Sequence, residues 1–139
     1  MGNKQLPRGI RNNNPGNLKE LSGDKTQWQG ERATDDDPIF EEFETMEYGI
    51  RALMKILINY MKKYKLRTII EIIKRFAPAS ENDTRAYINS VSWITGFEDN
   101  EILAANEDTI SKLVTAICFI ENGGYFITNE EIAEAWGML

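Results

Sequence analysis

From about Met46 onward, hydrophobic residues recur at helical spacing. Ile50, Leu53, Met54, Leu57 and Met61 fall at i, i+3, i+4, i+7 and i+11, the stripe of a helix laid on a core. Glu47 and Arg51 stand outside that stripe at the i, i+4 spacing of an ion pair. A second helix is predicted from about Thr68 to Phe76, with Ile69, Ile70, Ile72 and Ile73, and Pro78 ends it because the residue before a proline is pushed out of the helical region. A third starts with Asn82 or Asp83 as N-cap, carries Tyr87, Ile88, Val91 and Ile94, and stops at Gly96. The fourth, from about Glu107, is the most hydrophobic, with Ile110, Leu113, Val114, Ile117, Cys118 and Ile120 before Asn122-Gly123-Gly124. Thr128-Asn129-Glu130-Glu131 has capping-box spacing and opens a short last helix with Ile132, Ala135 and Trp136.

Before Met46 the pattern is different. Residues 1–24 carry Pro7, Gly9, the run Asn12-Asn13-Asn14-Pro15-Gly16-Asn17 and Ser22-Gly23-Asp24, a density of turn formers that predicts an irregular arm. Within residues 25–45, Thr26-Gln27-Trp28-Gln29 and Ile39-Phe40-Glu41-Glu42-Phe43 flank Gly30 and an Asp-Asp-Asp-Pro turn and read as a small, weak β-hairpin. The expectation is one mainly α domain of α+β type over residues 1–139: arm, hairpin, then helices over 46–139.

Composition narrows the chemistry. The 139 residues include no histidine, which excludes Ser-His and Cys-His relays and HExxH zinc sites. Acid–base work falls to carboxylates, Lys or Tyr. The single cysteine, Cys118, excludes an internal disulfide and a CxxC knuckle, and its apolar surroundings read as a buried structural thiol. No cofactor or metal is expected. No apolar run approaches the ~18 residues of a membrane span, so membrane insertion is not expected. Met1-Gly2-Asn3-Lys4-Gln5-Leu6 lacks the apolar core of a signal peptide, and Leu6 stands where a myristoylation signal needs Ser or Thr.

The net charge of −6 argues against a dedicated nucleic-acid binder, yet it is unevenly spread. Eight acids and one base lie between Glu31 and Glu47, whereas Lys55, Lys62, Lys63, Lys65, Arg67, Lys74 and Arg75 face only Glu71. That basic stretch is either a solvated helix surface or a face that attracts polyanions.

Three places could carry chemistry. Glu121 follows the uncharged run Leu113 to Ile120 at the end of the most buried helix, where desolvation and the helix dipole both favour a protonated carboxyl, the form a general acid needs. An exposed Glu at a frayed helix end fits the same pattern. The Asn-rich arm offers uncharged donors and acceptors, and Trp28, with Tyr60 or Tyr64, offers flat faces for sugar rings; an Asn run alone is also simply a turn. The stretch Ala77 to Tyr87 is accounted for as a loop and helix cap, except for Tyr87.

Together these pieces resemble a known group. Arg8-Gly9-Ile10-Arg11-Asn12-Asn13-Asn14-Pro15-Gly16-Asn17-Leu18, Gly49-Ile50-Arg51-Ala52, Ala77 to Tyr87, and Ala116-Ile117 followed by Glu121-Asn122-Gly123 are similar to phage-associated, peptidoglycan-degrading proteins of the lysozyme-like superfamily. The similarity spans about residues 8–124. Lytic transglycosylases of that superfamily place the catalytic Glu helix first and end on an active-site Tyr in a Thr-x-x-Tyr-x-x-x-Val pattern. Here Thr84 to Val91 resembles that last piece and the Glu-bearing helix comes at the end, the order of a circular permutation. Asn122 stands where the family has Ser, leaving open what orients Glu121.

The resemblance implies a muramidase or lytic transglycosylase that cleaves the MurNAc–GlcNAc β-1,4 bond, with Glu121 and Tyr87 as catalytic residues. Asn13, Asn14, Asn17, Trp28, Asn82 and Thr84 would bind substrate. A hydrolase needs a second carboxylate, for which Asp35, Asp36, Asp37, Glu47, Glu81 and Asp83 are candidates, whereas a transglycosylase can use one Glu as acid and then base. The implied partners are peptidoglycan glycan strands and other phage virion proteins. The protein would be phage-encoded, made in the host cytoplasm, and act on the wall or travel in the virion. The rival reading is a non-catalytic phage structural or glycan-binding module of the same fold.

Overall fold

The computed structural model describes residues 6–20, 28–34 and 36–139, and their regular structure is helical. The elements are α1 (Arg8–Arg11), α2 (Met46–Lys62), α3 (Ile69–Phe76), α4 (Thr84–Thr95), α5 (Glu107–Glu121) and α6 (Asn129–Gly137). Helices α2 to α6 are those the hydrophobic periodicity predicts. Each begins at a side-chain cap: Thr45, Thr68, Asp83, Asn106 and Thr128 accept from the backbone N–H three residues on, and Thr68 and Thr128 complete capping boxes with Glu71 and Glu131. Gly96, at φ 81°, ends α4 in the left-handed conformation open to glycine.

The core is built around α2. Ile50, Leu53, Met54 and Leu57 are wholly buried and Met61 nearly so, each contributing about 1.5–3 kcal/mol by leaving water. α2 packs against α6, α5 and α3, while α4 lies against α3 and α5. From α5 come Ile110, Leu113, Val114, Ile117 and Cys118; the free Cys118 thiol is fully buried, and burial pushes it well above the ordinary thiol range. No helix among the described residues is long and apolar enough to cross a membrane.

Three local expectations are corrected. Arg51 does not pair with Glu47; its Nε donates to the Met138 carbonyl at 3.2 Å, an acceptor that α6 brings against α2. The arm is not wholly irregular, since Arg8–Arg11 form one helical turn. The hairpin is also not seen. Thr26 and Gln27 lie outside the described residues, as does Asp35, and the described residues show only isolated antiparallel bridges, Lys19 with Phe40 and Glu31 with Phe43. The arm supplies partners to residues 39–43 instead: Glu41 N–H donates to the Leu18 carbonyl at 2.9 Å, Phe43 N–H to the Asn12 carbonyl at 2.8 Å, and Glu20 N–H to the Ile39 carbonyl at 2.8 Å.

Asp37 locks this layer to α1. Its carboxylate receives Arg8 Nε and Nη2 at 2.6 Å each and Asn12 Nδ2 at 2.8 Å, together with the N–H groups of Ile39 and Phe40. The Arg8 guanidinium holds the Asp37 carboxyl far below the usual range; burial opposes this, and the backbone and Asn12 donors add to it. A carboxyl lowered in the folded state stabilises the fold above its unfolded pKa, and the contribution fades as pH falls below about 4. Asp37→Asn is therefore expected to melt lower than the parent at pH 7, with the gap narrowing below about pH 4 in thermal melts.

Candidate functional site

Glu121 is the last residue of α5, and Asn122 follows as C-cap with its N–H on the Cys118 carbonyl. Gly123 and Gly124, at φ 61° and 98°, then turn the chain away without side chains. Each oxygen of the half-buried Glu121 carboxyl has its own donor. Asn17 Nδ2 donates to Oε1 at 2.9 Å, and the Tyr87 hydroxyl donates to Oε2 at 2.7 Å. Among the described residues Glu121 forms no ion pair.

The two donors come from opposite ends of the fold. Tyr87 projects from α4, is buried, and meets Phe76 edge-on with ring centroids 6.5 Å apart. Burial first, and then the charge of Glu121, push its hydroxyl far above the ordinary tyrosine range, so it stays a neutral donor. Asn17 comes from the arm, at φ 50°, a left-handed conformation that Asn tolerates. Asn122, in the position where the family resemblance expects Ser, does not touch the Glu121 carboxyl. Its Nδ2 donates to the Pro15 carbonyl at 2.7 Å and the Cys118 carbonyl at 2.8 Å, fastening the arm to the end of α5. Glu121 is thus oriented by Asn17 and Tyr87.

Gly9 completes this junction. The Oδ1 atoms of Asn17 and Asn122 are buried without a hydrogen-bond partner, and a Cβ on Gly9 would lie 2.7 and 2.5 Å from them. Only a glycine Cα–H fits between these oxygens, a setting for weak C–H···O contacts.

Glu121 opens on a cleft of about 450 Å³ whose lining includes Asn17, Lys19, Trp28, Glu41, Tyr60, Phe76, Glu81 and Asn82. Of the residues singled out from sequence, Glu121, Asn17, Trp28 and Asn82 meet here, and Tyr87 reaches the site through Glu121. Asn13, Asn14 and Thr84 are outside the lining. Asn13, at φ 52°, donates to the Phe43 carbonyl at 3.1 Å. Asn14 is wholly buried, its amide spent on the backbone of Leu18 and Glu41. Thr84 Oγ1 donates to the Ala77 carbonyl at 2.6 Å. Tyr60 lines the cleft, whereas Tyr64 lies outside it beneath the Arg75 guanidinium.

Among the proposed second carboxylates, only Glu81 lines the cleft, where it pairs with Lys19. Asp37 is held by Arg8, Asp83 caps α4, Glu47 sits in the first turn of α2 and Asp36 is exposed. Sequence reasoning missed Lys19, Glu41 and Phe76 as cleft residues. Glu41 sits in a run that reads as a strand, and no local pattern marks the others. Among the described residues, no three His, Cys, Asp or Glu side chains are grouped so as to hold a metal ion.

Compared with known proteins, the chain is 47% identical over 135 residues to Protein P5 of Pseudoalteromonas phage PM2, a match covering 96% of this chain and 83% of the relative. No family model matches it.

Proposed function

The chain belongs to the family of Protein P5 of Pseudoalteromonas phage PM2, and we propose that it is a peptidoglycan glycosidase, cleaving the β-1,4 bond between N-acetylmuramic acid and N-acetylglucosamine with Glu121 as general acid. The observation that carries this reading is the Glu121 carboxyl in an open cleft, held by two neutral donors and by no cation. A tyrosine hydroxyl can donate to a carboxylate or accept from a carboxylic acid, so this pairing serves the group before and after it gives up its proton. Trp28 and Tyr60 offer ring faces to sugars, and Asn17 and Asn82 offer uncharged polar groups.

In the first step Glu121 protonates the leaving glycosidic oxygen as positive charge builds on the muramic ring. A hydrolase then needs a second carboxylate, and Glu81 and Glu41 line the same cleft. A lytic transglycosylase has Glu121 take a proton from the muramic 6-hydroxyl as that oxygen closes an anhydro ring. Tyr87 and Asn17 act in both cases as positioning residues.

Incubation with purified sacculi is expected to release soluble muropeptides; retention on the sacculus without release would favour the non-catalytic glycan-binding module. Tyr87→Phe keeps the ring against Phe76 and removes the donor to Glu121. Turnover should fall roughly tenfold or more with KM little changed, because a hydrogen bond to a carboxylate is lost while the sugar contacts remain.

A further inference from the structure

On the other side of Trp28 lies a second groove, of about 480 Å³, lined by Lys55, Ile56, Ile58, Asn59, Lys62 and Lys63. Trp28 and Ile56 line both this groove and the Glu121 cleft, so the two are continuous. Lys55, Asn59, Lys62 and Lys63 are spaced i, i+4, i+7 and i+8 on α2, on the face opposite its buried stripe. All three lysines are exposed, and none forms an ion pair among the described residues. Lys63 lies 5.4 Å from the Tyr64 ring, and no described residue lining the groove is acidic. In a chain of net charge −6, this is a local cationic strip over an apolar floor.

We propose that this groove receives the carboxylate-bearing peptide stems of peptidoglycan while the glycan strand occupies the Glu121 cleft. The proposal rests on the glycosidase reading, because it takes one branched ligand to span both sides of Trp28. The stems are covalently attached to muramic acid and carry free carboxylates, so they present negative charge beside the sugar chain. The three lysines supply the opposite charge, and Ile56 and Ile58 meet the apolar parts of the stem.

The test uses Glu121→Gln protein, so that binding is read without digestion, on intact sacculi and on glycan strands stripped of stems by an amidase. Stripping should weaken binding roughly tenfold, the combined effect of about three exposed charge contacts. The triple variant K55Q/K62Q/K63Q should bind intact sacculi at that weakened level and stripped glycan unchanged. Gln keeps the helix propensity of Lys at these surface positions, and circular dichroism checks that the fold is retained. Equal binding of intact sacculi with and without the three lysines would overturn the proposal. So would a triple variant whose only loss is retention of duplex DNA, which would assign the groove to nucleic acid. Failure of the glycosidase reading shows separately, as absence of released muropeptides from protein with Glu121 intact.

Discussion

Exchanging Glu121 for Gln is expected to lower turnover on peptidoglycan by roughly 10²-fold or more, the scale of a lost general acid. The exchange preserves side-chain size. The Gln carbonyl oxygen can still accept from Asn17, and its amide can donate to the Tyr87 hydroxyl, which accepts as well as donates. The melting temperature should therefore hold, and only the transferable proton is removed. Initial rates of muropeptide release at saturating sacculi, read beside thermal melts, separate the two effects. Turnover within about tenfold of the parent would remove Glu121 from the acid role.

The second large effect is on the fold and reaches the site through it. A Cβ at Gly49 would lie 1.8 Å from the Asn13 carbonyl oxygen and 3.1 Å from Pro15 Cδ. These are backbone and ring atoms of the arm, so they cannot turn aside as a flexible side chain would. Since α2 is pinned in the core, the arm must give way, and the arm holds Asn17 on Glu121. Gly49→Ala should cost roughly 3 kcal/mol, at the upper end of overpacking penalties, and lower the melting temperature on the order of 10 °C. Activity should fall with it. Gly137→Ala, where an added Cβ meets nothing within 4 Å, is the matching control and should melt like the parent. A Gly49→Ala protein as stable as the parent would mean that the arm is not seated against α2 as described.

The helical part of this fold was readable because its signals are local. The Ile50 to Met61 stripe, the Asp83 and Thr128 caps and the Gly96 and Gly123 stops each lie within a turn or two of what they specify. Glu121 and Tyr87 were readable for the same reason, through their places on α5 and α4. The first 45 residues were not, because their order comes from side chains bonding to distant backbone. Asn14 ties together Leu18 and Glu41, Asn12 and Arg8 reach Asp37, and Asn122 reaches back 107 residues to Pro15. Such bonds leave no period in the sequence, and an Asn that builds an arm looks the same as an Asn that binds a sugar. Asn17 does the first and, through Glu121, bears on the second; Asn13 and Asn14 do only the first.

The central claim is that Glu121 breaks a glycosidic bond. It is tested most directly by mass spectrometry of the material released from purified sacculi, with the parent and Glu121→Gln proteins run side by side. The account predicts new glycan ends with the parent, either reducing muramic acid or its 1,6-anhydro form, and nearly none with the variant. Absence of new glycan ends with the parent, or the same ends at the same rate with both proteins, would contradict it.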